Sequence, residues 1–329
     1  MRFAWILAAL SALAISASGP AWARGPALVF DPANGTVIYA EDADDHWHPA
    51  SLTKIMTAYV TFKAIKAGKL KLEERIPYSA RAYAQPPMKL GLHVGATLTV
   101  DQALKALIIR SANDIAVMLA EAVGGTQPEF ISLMNQTAHA LGMTRTTFVN
   151  PHGLPAPMQV TTARDLAKLA RAAIRDFPEH AGYWSMFGAR LGKIRIGSHN
   201  GLLRTFEGAD GMKTGFICDS GYNVVASATR DGRKIMAVVL GEATGANRNI
   251  RAAHLLEHGF QIYDWKRMLK QTENLDRMKM PAHPNDVISI REHVKSWVCR
   301  SDVPKTRPKT AERKASSKTA EKKKGQAVR

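Results

Sequence analysis

Acidic side chains are in short supply. The chain has 28 Asp and Glu against 45 Lys and Arg, a formal net charge of +17 at pH 7. Such a balance draws a protein to polyanions, whether nucleic acid, anionic lipid headgroups or an anionic wall polymer. Cysteine is rarer still: Cys218 and Cys299 are the two in 329 residues, enough for one disulfide at most. The eleven histidines show no zinc-ligand spacing. His254 and His258 stand at i and i+4, but the glutamate that follows the first histidine in H-E-x-x-H is absent, so they read as a solvated helix face. No internal repeat is present, and no metal or other cofactor is expected. The apolar run from Phe3 to Ile15 is too short for a comfortable membrane span, which takes about 20 residues.

That run has another reading. Met1-Arg2 precedes it, and Ser16 to Pro20 and then Ala21-Trp22-Ala23 follow. A charged start, an apolar centre and a small-x-small end make a secretory signal peptide. Residues 1–23 are therefore set apart from the fold, with cleavage expected after Ala23. An exported chain, in the periplasm or cell envelope, has little access to nucleic acid, so its basic charge is expected to face the envelope. In that oxidising compartment a Cys218–Cys299 disulfide competes with two free thiols. Closing a loop of about 80 residues is worth roughly 4 kcal/mol in the chain-entropy model.

Length and a hydrophobic content of 46% suit one large globular domain or two smaller ones. Ala27 to Phe30 and Val37 to Ala40 flank Asp31-Pro32-Ala33-Asn34-Gly35, the composition of a hairpin turn. Leu52, Ile55, Met56, Tyr59 and Val60 recur at helical spacing, with Gly68 as a stop. Residues 69–100, rich in proline and glycine, read as loops and short pieces. Helices are expected over Val100 to Ile109, Asp114 to Val123, Gln127 to Leu141 and Thr161 to Ile174, and again over Arg251 to His258 with Gly259 as its cap. Val224 to Thr229 and Ile235 to Leu240 read as strands joined at Asp231-Gly232. This order fits an α+β fold, an antiparallel sheet flanked by helices with a helical subdomain. Ser301 to Arg329 holds ten Lys or Arg, three Asp or Glu, and no Leu, Ile or aromatic residue. Such a segment buries too little apolar surface to offset its ordering entropy and is expected to be disordered.

Three short motifs carry chemistry. Ser51-Leu52-Thr53-Lys54 puts a hydroxyl and an amine on one helix face, where the amine can take the hydroxyl's proton if its pKa is lowered. Arg110-Ser111-Ala112-Asn113-Asp114 lies at a break between two helices, and Gly211-Met212-Lys213-Thr214-Gly215 precedes a strand. Each alone has a plain structural reading as a cap, a helix junction or a strand end. Together, separated by about 60 and about 100 residues, they resemble the S-x-x-K, S-x-N and K-T-G set of the serine D,D-peptidases and serine β-lactamases. Asn150-Pro151-His152-Gly153-Leu154, Thr162-Ala163-Arg164-Asp165, His199-Asn200-Gly201-Leu202-Leu203 and Gly221-Tyr222-Asn223-Val224-Val225-Ala226-Ser227-Ala228 extend the resemblance. They are similar to the D-alanyl-D-alanine carboxypeptidases, the low-mass penicillin-binding proteins, over roughly residues 26–262.

The resemblance implies a β-lactamase/penicillin-binding transpeptidase-like fold. It divides the chain into a peptidase domain over 24–265, a short extension over 266–300 and the basic tail over 301–329. Few strand-like segments follow residue 265, too few for the second β-rich domain such enzymes often carry, and no terminal amphipathic helix is evident. By resemblance, Ser51 attacks the carbonyl between two D-alanines of a peptidoglycan pentapeptide and Lys54 takes its proton. The N–H groups of Ser51 and Phe216 stabilise the oxyanion, and Ser111 relays a proton to the leaving amine. Asn113 holds the substrate backbone, Lys213 supplies positive charge, and Thr214 in the Lys213-Thr214-Gly215 motif binds the terminal carboxylate with Arg248. A helix-start surface arginine is the competing reading of Arg248, and a structural loop or cap role that of Asp165. β-Lactams would acylate Ser51 and stay, since no loop glutamate is placed to activate a deacylating water. A D,D-endopeptidase acting on crosslinks, and a non-catalytic envelope-binding protein whose basic tail contacts anionic polymer, are the alternatives.

Overall fold

The computed structural model describes residues 25–269 and 273–299. The signal peptide expected over 1–23 and the disordered tail expected over 301–329 lie outside the described residues. β1 (Ala27–Phe30) and β2 (Thr36–Glu41) form the expected hairpin. A 3-10 turn, Ala50–Leu52, leads into α1 (Thr53–Lys66). A small ladder of β3 (Arg75–Pro77) and β4 (Thr97–Thr99) brackets α2 (Ala80–Tyr83). α3 (Val100–Lys105) passes through a π-turn, Ala106–Arg110, towards α4 (Asn113–Gly124), α5 (Gln127–Ala140) and α6 (Ala163–Arg175). Then follow α7 (Gly182–Ser185), a two-stranded hairpin of β5 (Gly188–Leu191) and β6 (Ile194–Gly197), and α8 (Leu202–Thr205). β7 (Ala209–Ile217), β8 (Gly221–Arg230), β9 (Arg233–Glu242), α9 (Gly245–Met268) and the two-residue β10 (Glu273–Asn274) close the compact unit, which ends at Val294.

The principal sheet has the order β10-β2-β1-β9-β8-β7, with every neighbour antiparallel. On one face Val224, Ala226, Ala228, Ile235, Ala237 and Val239 pack against Ala252, Leu256 and Tyr263 of α9. The alternation along β8 and β9 sends these side chains to α9 and their neighbours to the other face. That second face is covered by α6. α1 packs on α4, α5 and α6, and eleven of its residues are buried. A helix enclosed this way needs no polar stripe, which is why its apolar positions do not keep to one side.

Three local expectations are corrected. The helix read over Arg251 to His258 runs over Gly245–Met268, straight through the glycine read as its cap. A Cβ at Gly259 would stand 2.8 Å from Ile235 Cγ2 and 3.1 Å from Val29 Cγ1, so glycine there lets α9 lie close on the sheet. The Lys213-Thr214-Gly215 segment does precede the Val224 strand, but it is no strand end with a turn glycine: it is the middle of β7. Beyond residue 265, the extension contributes the sixth strand and buries Leu275, Ile290 and Val294. Among the described residues no helix is long and apolar enough to cross a membrane.

Arg164 fastens the extension to α6. Its guanidinium pairs with Asp44 Oδ2 at 2.6 Å, both side chains nearly enclosed, and donates to the carbonyls of Met278 at 2.9 Å and Lys279 at 3.2 Å. Removing one member of a buried pair strands the other charge. Arg164→Ala is expected to lower unfolding free energy by about 3–5 kcal/mol, read from the urea midpoint at constant slope.

Candidate active site

Ser51 stands in the 3-10 turn before α1, one residue after an unusual backbone. Ala50 adopts φ +48°, a left-handed conformation that carries strain for a residue with a Cβ. Two glycines make room for that turn. A Cβ at Gly153, itself at φ +84°, would fall 1.7 Å from the Ala50 carbonyl oxygen. A Cβ at Gly215 would lie 3.0 Å from the Pro49 oxygen and 3.1 Å from the Ser51 nitrogen. The strand bearing Lys213 therefore runs against the serine turn, and the N–H of Phe216 follows directly after this close approach.

Lys54, one turn on, is fully buried. Its Nζ lies 3.0 Å from Ser51 Oγ, 2.8 Å from Asn113 Oδ1 and 2.6 Å from the His152 carbonyl oxygen. Burial, then the nearby Lys213, holds its pKa well below the ordinary lysine value, against the opposing field of Asp114. A neutral amine has two N–H groups and one lone pair. Asn113 Oδ1 and the His152 carbonyl can only accept, so they take both N–H groups. The lone pair is left for the Ser51 hydroxyl, the geometry of a base poised on its nucleophile. His152 is held neutral, its pKa pushed down to about 3 by burial and by Lys54.

The π-turn ends at Ser111, a second non-glycine residue in the left-handed region, at φ +61°. Its hydroxyl is buried without a hydrogen-bond partner among the described residues. Asn113 is fixed on both sides: its N–H donates to the Met88 carbonyl at 2.7 Å and its Nδ2 to the Pro86 carbonyl at 3.1 Å. Asp114, fully buried, accepts from the Tyr78 hydroxyl at 2.8 Å and from the N–H groups of Leu90 and Gly91, each at 2.9 Å. Loop 84–96 is thereby clamped to the start of α4.

Lys213 and Arg248 form the opposite wall. Lys213 is buried and donates to the Thr214 carbonyl at 3.0 Å; burial and then Arg248 push its pKa down to about 7. Arg248 projects from the first turn of α9, buried, with its pKa pushed down to about 10 by burial. It donates to Asn249 Oδ1 at 2.8 Å and to the His199 carbonyl at 3.3 Å, and it forms no ion pair among the described residues. Two enclosed cations without a carboxylate partner form a receptor for an anionic group.

Ser51, Lys54, Asn113 and the Lys213–Arg248 wall thus converge, with Ser111 two residues from Asn113 and Thr214 and Gly215 on the adjoining strand. Asp165 stands apart at the start of α6, accepting from the Arg145 N–H and the Thr146 hydroxyl. Cys218 lies in the turn after β7. His258 meets the Tyr39 ring edge-on, and no group of three or more metal-ligating side chains occurs among the described residues. No sequence signal points to a role for the His152 carbonyl or for Asp114. Both flank motif residues, but a backbone carbonyl has no side-chain signature, and Asp114 acts on a loop about 24 residues upstream.

A family model described as D-alanyl-D-alanine carboxypeptidase matches residues 14–244. The chain is 41% identical over 244 residues to the D-alanyl-D-alanine carboxypeptidase DacC of Escherichia coli (strain K12), covering 72% of this chain and 61% of that protein. It is 32% identical over 285 residues to DacA of Haemophilus influenzae, covering 83% of this chain and 72% of that one. The chain thus spans about three fifths of the length of DacC. Among solved structures, penicillin binding protein 5 from Haemophilus influenzae superposes with a TM-score of 0.70 at 35% identity, covering 72% of this chain and 71% of that one. Penicillin-Binding Protein D2 from Listeria monocytogenes, in its ampicillin-bound form, gives a TM-score of 0.64 at 31% identity over 72% of this chain and 97% of that one.

The Lys54 geometry sets a pH dependence with a definite sign. Burial and the nearby Lys213 hold the Lys54 pKa well below the ordinary lysine value, and activity is expected to fall on the acid side as the lone pair is protonated. On the alkaline side, Lys213 loses its charge as pH rises through about 7, weakening the anion receptor. The kcat/KM profile for a substrate with a terminal carboxylate is expected to be bell-shaped. Lys54→Arg, which stays protonated, is expected to slow acylation of Ser51 by benzylpenicillin by about 10²–10⁴-fold, measured by stopped-flow or intact mass.

Proposed function

Because this chain belongs to the D-alanyl-D-alanine carboxypeptidase family, we propose that it removes the terminal D-Ala from peptidoglycan pentapeptides through an acyl-enzyme on Ser51. The observation that carries the reading is the Lys54 amine, enclosed and bonded so that its lone pair meets the Ser51 hydroxyl at 3.0 Å.

The steps follow from the geometry. Ser51 Oγ attacks the carbonyl carbon between the two D-alanines while its proton passes to Lys54 Nζ. The carbonyl oxygen becomes an oxyanion, received by the backbone N–H groups of Ser51 and Phe216. The C–N bond then breaks, and the proton travels from Lys54 through the Ser111 hydroxyl to the leaving amine. An orphan hydroxyl suits that relay, since no standing bond must break before it turns towards the substrate. Thr214, Lys213 and Arg248 hold the departing residue's carboxylate, and Asn113 holds the peptide backbone. Water then takes the place of the amine and releases the shortened peptide. β-Lactams follow the first step and stop, because the amine freed by ring opening stays tethered to the acyl group and does not make way for water.

Mass spectrometry of soluble peptidoglycan fragments tests this reading. Pentapeptides are expected to become tetrapeptides while crosslinked dimers persist; cleaved dimers beside intact pentapeptides would make the protein an endopeptidase. Benzylpenicillin is expected to leave a long-lived adduct on the wild type and none on Ser51→Ala.

The same proposal places the enzyme outside the cytoplasm, with residues 1–23 as its removed leader and the basic tail holding it on anionic wall polymer. Its support is the charge of the tail and the pattern of the leader. A Cys218–Cys299 bridge belongs with it, supported by the absence of free thiols among the described residues. Deleting 301–329 is expected to weaken salt-sensitive binding to sacculi while leaving turnover of a short peptide unchanged. Equal sacculus binding at low salt, with and without the tail, would remove its role.

A further inference from the structure

The β5–β6 hairpin carries a charge arrangement that folding alone does not favour. Between Glu179 and Glu207 the chain has no acidic residue, yet it holds Arg190, Lys193, Arg195 and Arg204. The hairpin turns an apolar face inward, burying Leu191 and Ile196. On its other face Arg190 and Arg195 are direct cross-strand partners. Like charges set opposite one another in an antiparallel pair are destabilising. Both arginines and Lys193 at the turn are exposed, and none of the three forms an ion pair among the described residues. The one hydrogen bond of the group is from Arg190 Nε to the Gly192 carbonyl, at 3.0 Å.

The hairpin also leads directly into the active site. β6 packs on the π-turn that ends at Ser111. Two residues past β6, the His199 carbonyl accepts from Arg248 at 3.3 Å. Arg195 is four residues from His199, at most about 13 Å along an extended chain. A peptide whose terminal carboxylate reaches Arg248 can run its upstream part across this cationic face.

We propose that Arg190, Lys193 and Arg195 form a secondary anion-binding surface that grips carboxylates of the wall polymer upstream of the D-Ala-D-Ala end. The inference rests on the carboxypeptidase reading for its ligand and adds a second point of contact to it. The bound carboxylates relieve the Arg190–Arg195 repulsion, so occupancy and hairpin stability rise together. The surface favours substrates with free acidic side chains over amidated ones, and the preference fades with salt because the charges are exposed.

The test uses full-length Ser51→Ala protein and two synthetic pentapeptides ending in D-Ala-D-Ala, one with free upstream carboxylates and one with the same groups amidated. The free-acid peptide is expected to bind about tenfold more tightly at low salt, a preference lost in about 0.5 M salt. Arg190→Gln/Lys193→Gln/Arg195→Gln is expected to bring the two dissociation constants together. Single Arg195→Gln should narrow the gap partway and hold or raise the melting temperature, because it removes the opposed charge. Equal affinity for the two peptides, or a preference that survives the triple substitution, overturns the inference. Turnover of the peptides by the wild type is scored separately: no release of D-Ala, with the binding preference intact, removes the carboxypeptidase reading and leaves the surface.

Discussion

The site depends on one buried amine. Lys54 sits where water does not reach, and that enclosure both lowers its pKa and makes each unpaired N–H expensive. Asn113 and the His152 carbonyl meet those two demands, and their placement explains much of the surrounding architecture. Asn113 must be rigid, so it is pinned to Met88 and Pro86. The His152 carbonyl reaches Lys54 from the 150–154 loop, which runs close against the Ala50 turn. Gly153 is the residue that lets it pass. The strained Ala50 conformation persists because packing from both sides fixes it.

The second charge problem is handled in the opposite way. Lys213 and Arg248 are enclosed near each other with no acid to neutralise them, and each lowers the proton affinity around it. The free protein carries that cost until a carboxylate arrives. Binding free energy from an anionic group is thus tied to relief of a standing repulsion, which favours ligands that bring a negative charge over neutral ones.

Much of this was legible in the sequence, for identifiable reasons. The apolar runs Val224 to Thr229 and Ile235 to Leu240, with Asp231-Gly232 between, marked the central strands, because strands covered on both faces carry apolar residues in succession. Ser51 and Lys54 were legible because a helical i, i+3 pair must share a face. α9 was misjudged because glycine usually ends a helix, whereas Gly259 is required by contact with Ile235 and Val29, residues far away in the chain. The Lys213 segment reads as a strand end and not as the middle of a strand, because Gly211 and Gly215 interrupt its apolar pattern. Those glycines answer to close neighbours, the Ser227 hydroxyl and the Ser51 turn, not to local propensity. The extension after 265 looked featureless because a two-residue strand and scattered single anchors leave no periodicity.

The sheet has a border on the side of β2. An uncovered border strand offers a row of free N–H and C=O groups to any other chain with extended backbone. Here β2 is capped by β10. The plain-looking extension therefore blunts that edge. A chain that stops at the end of α9 would keep Ser51, Lys54, Asn113, Lys213 and Arg248 and yet expose the β2 border. Its weakness would be solubility, through strand-to-strand association, before it was chemistry.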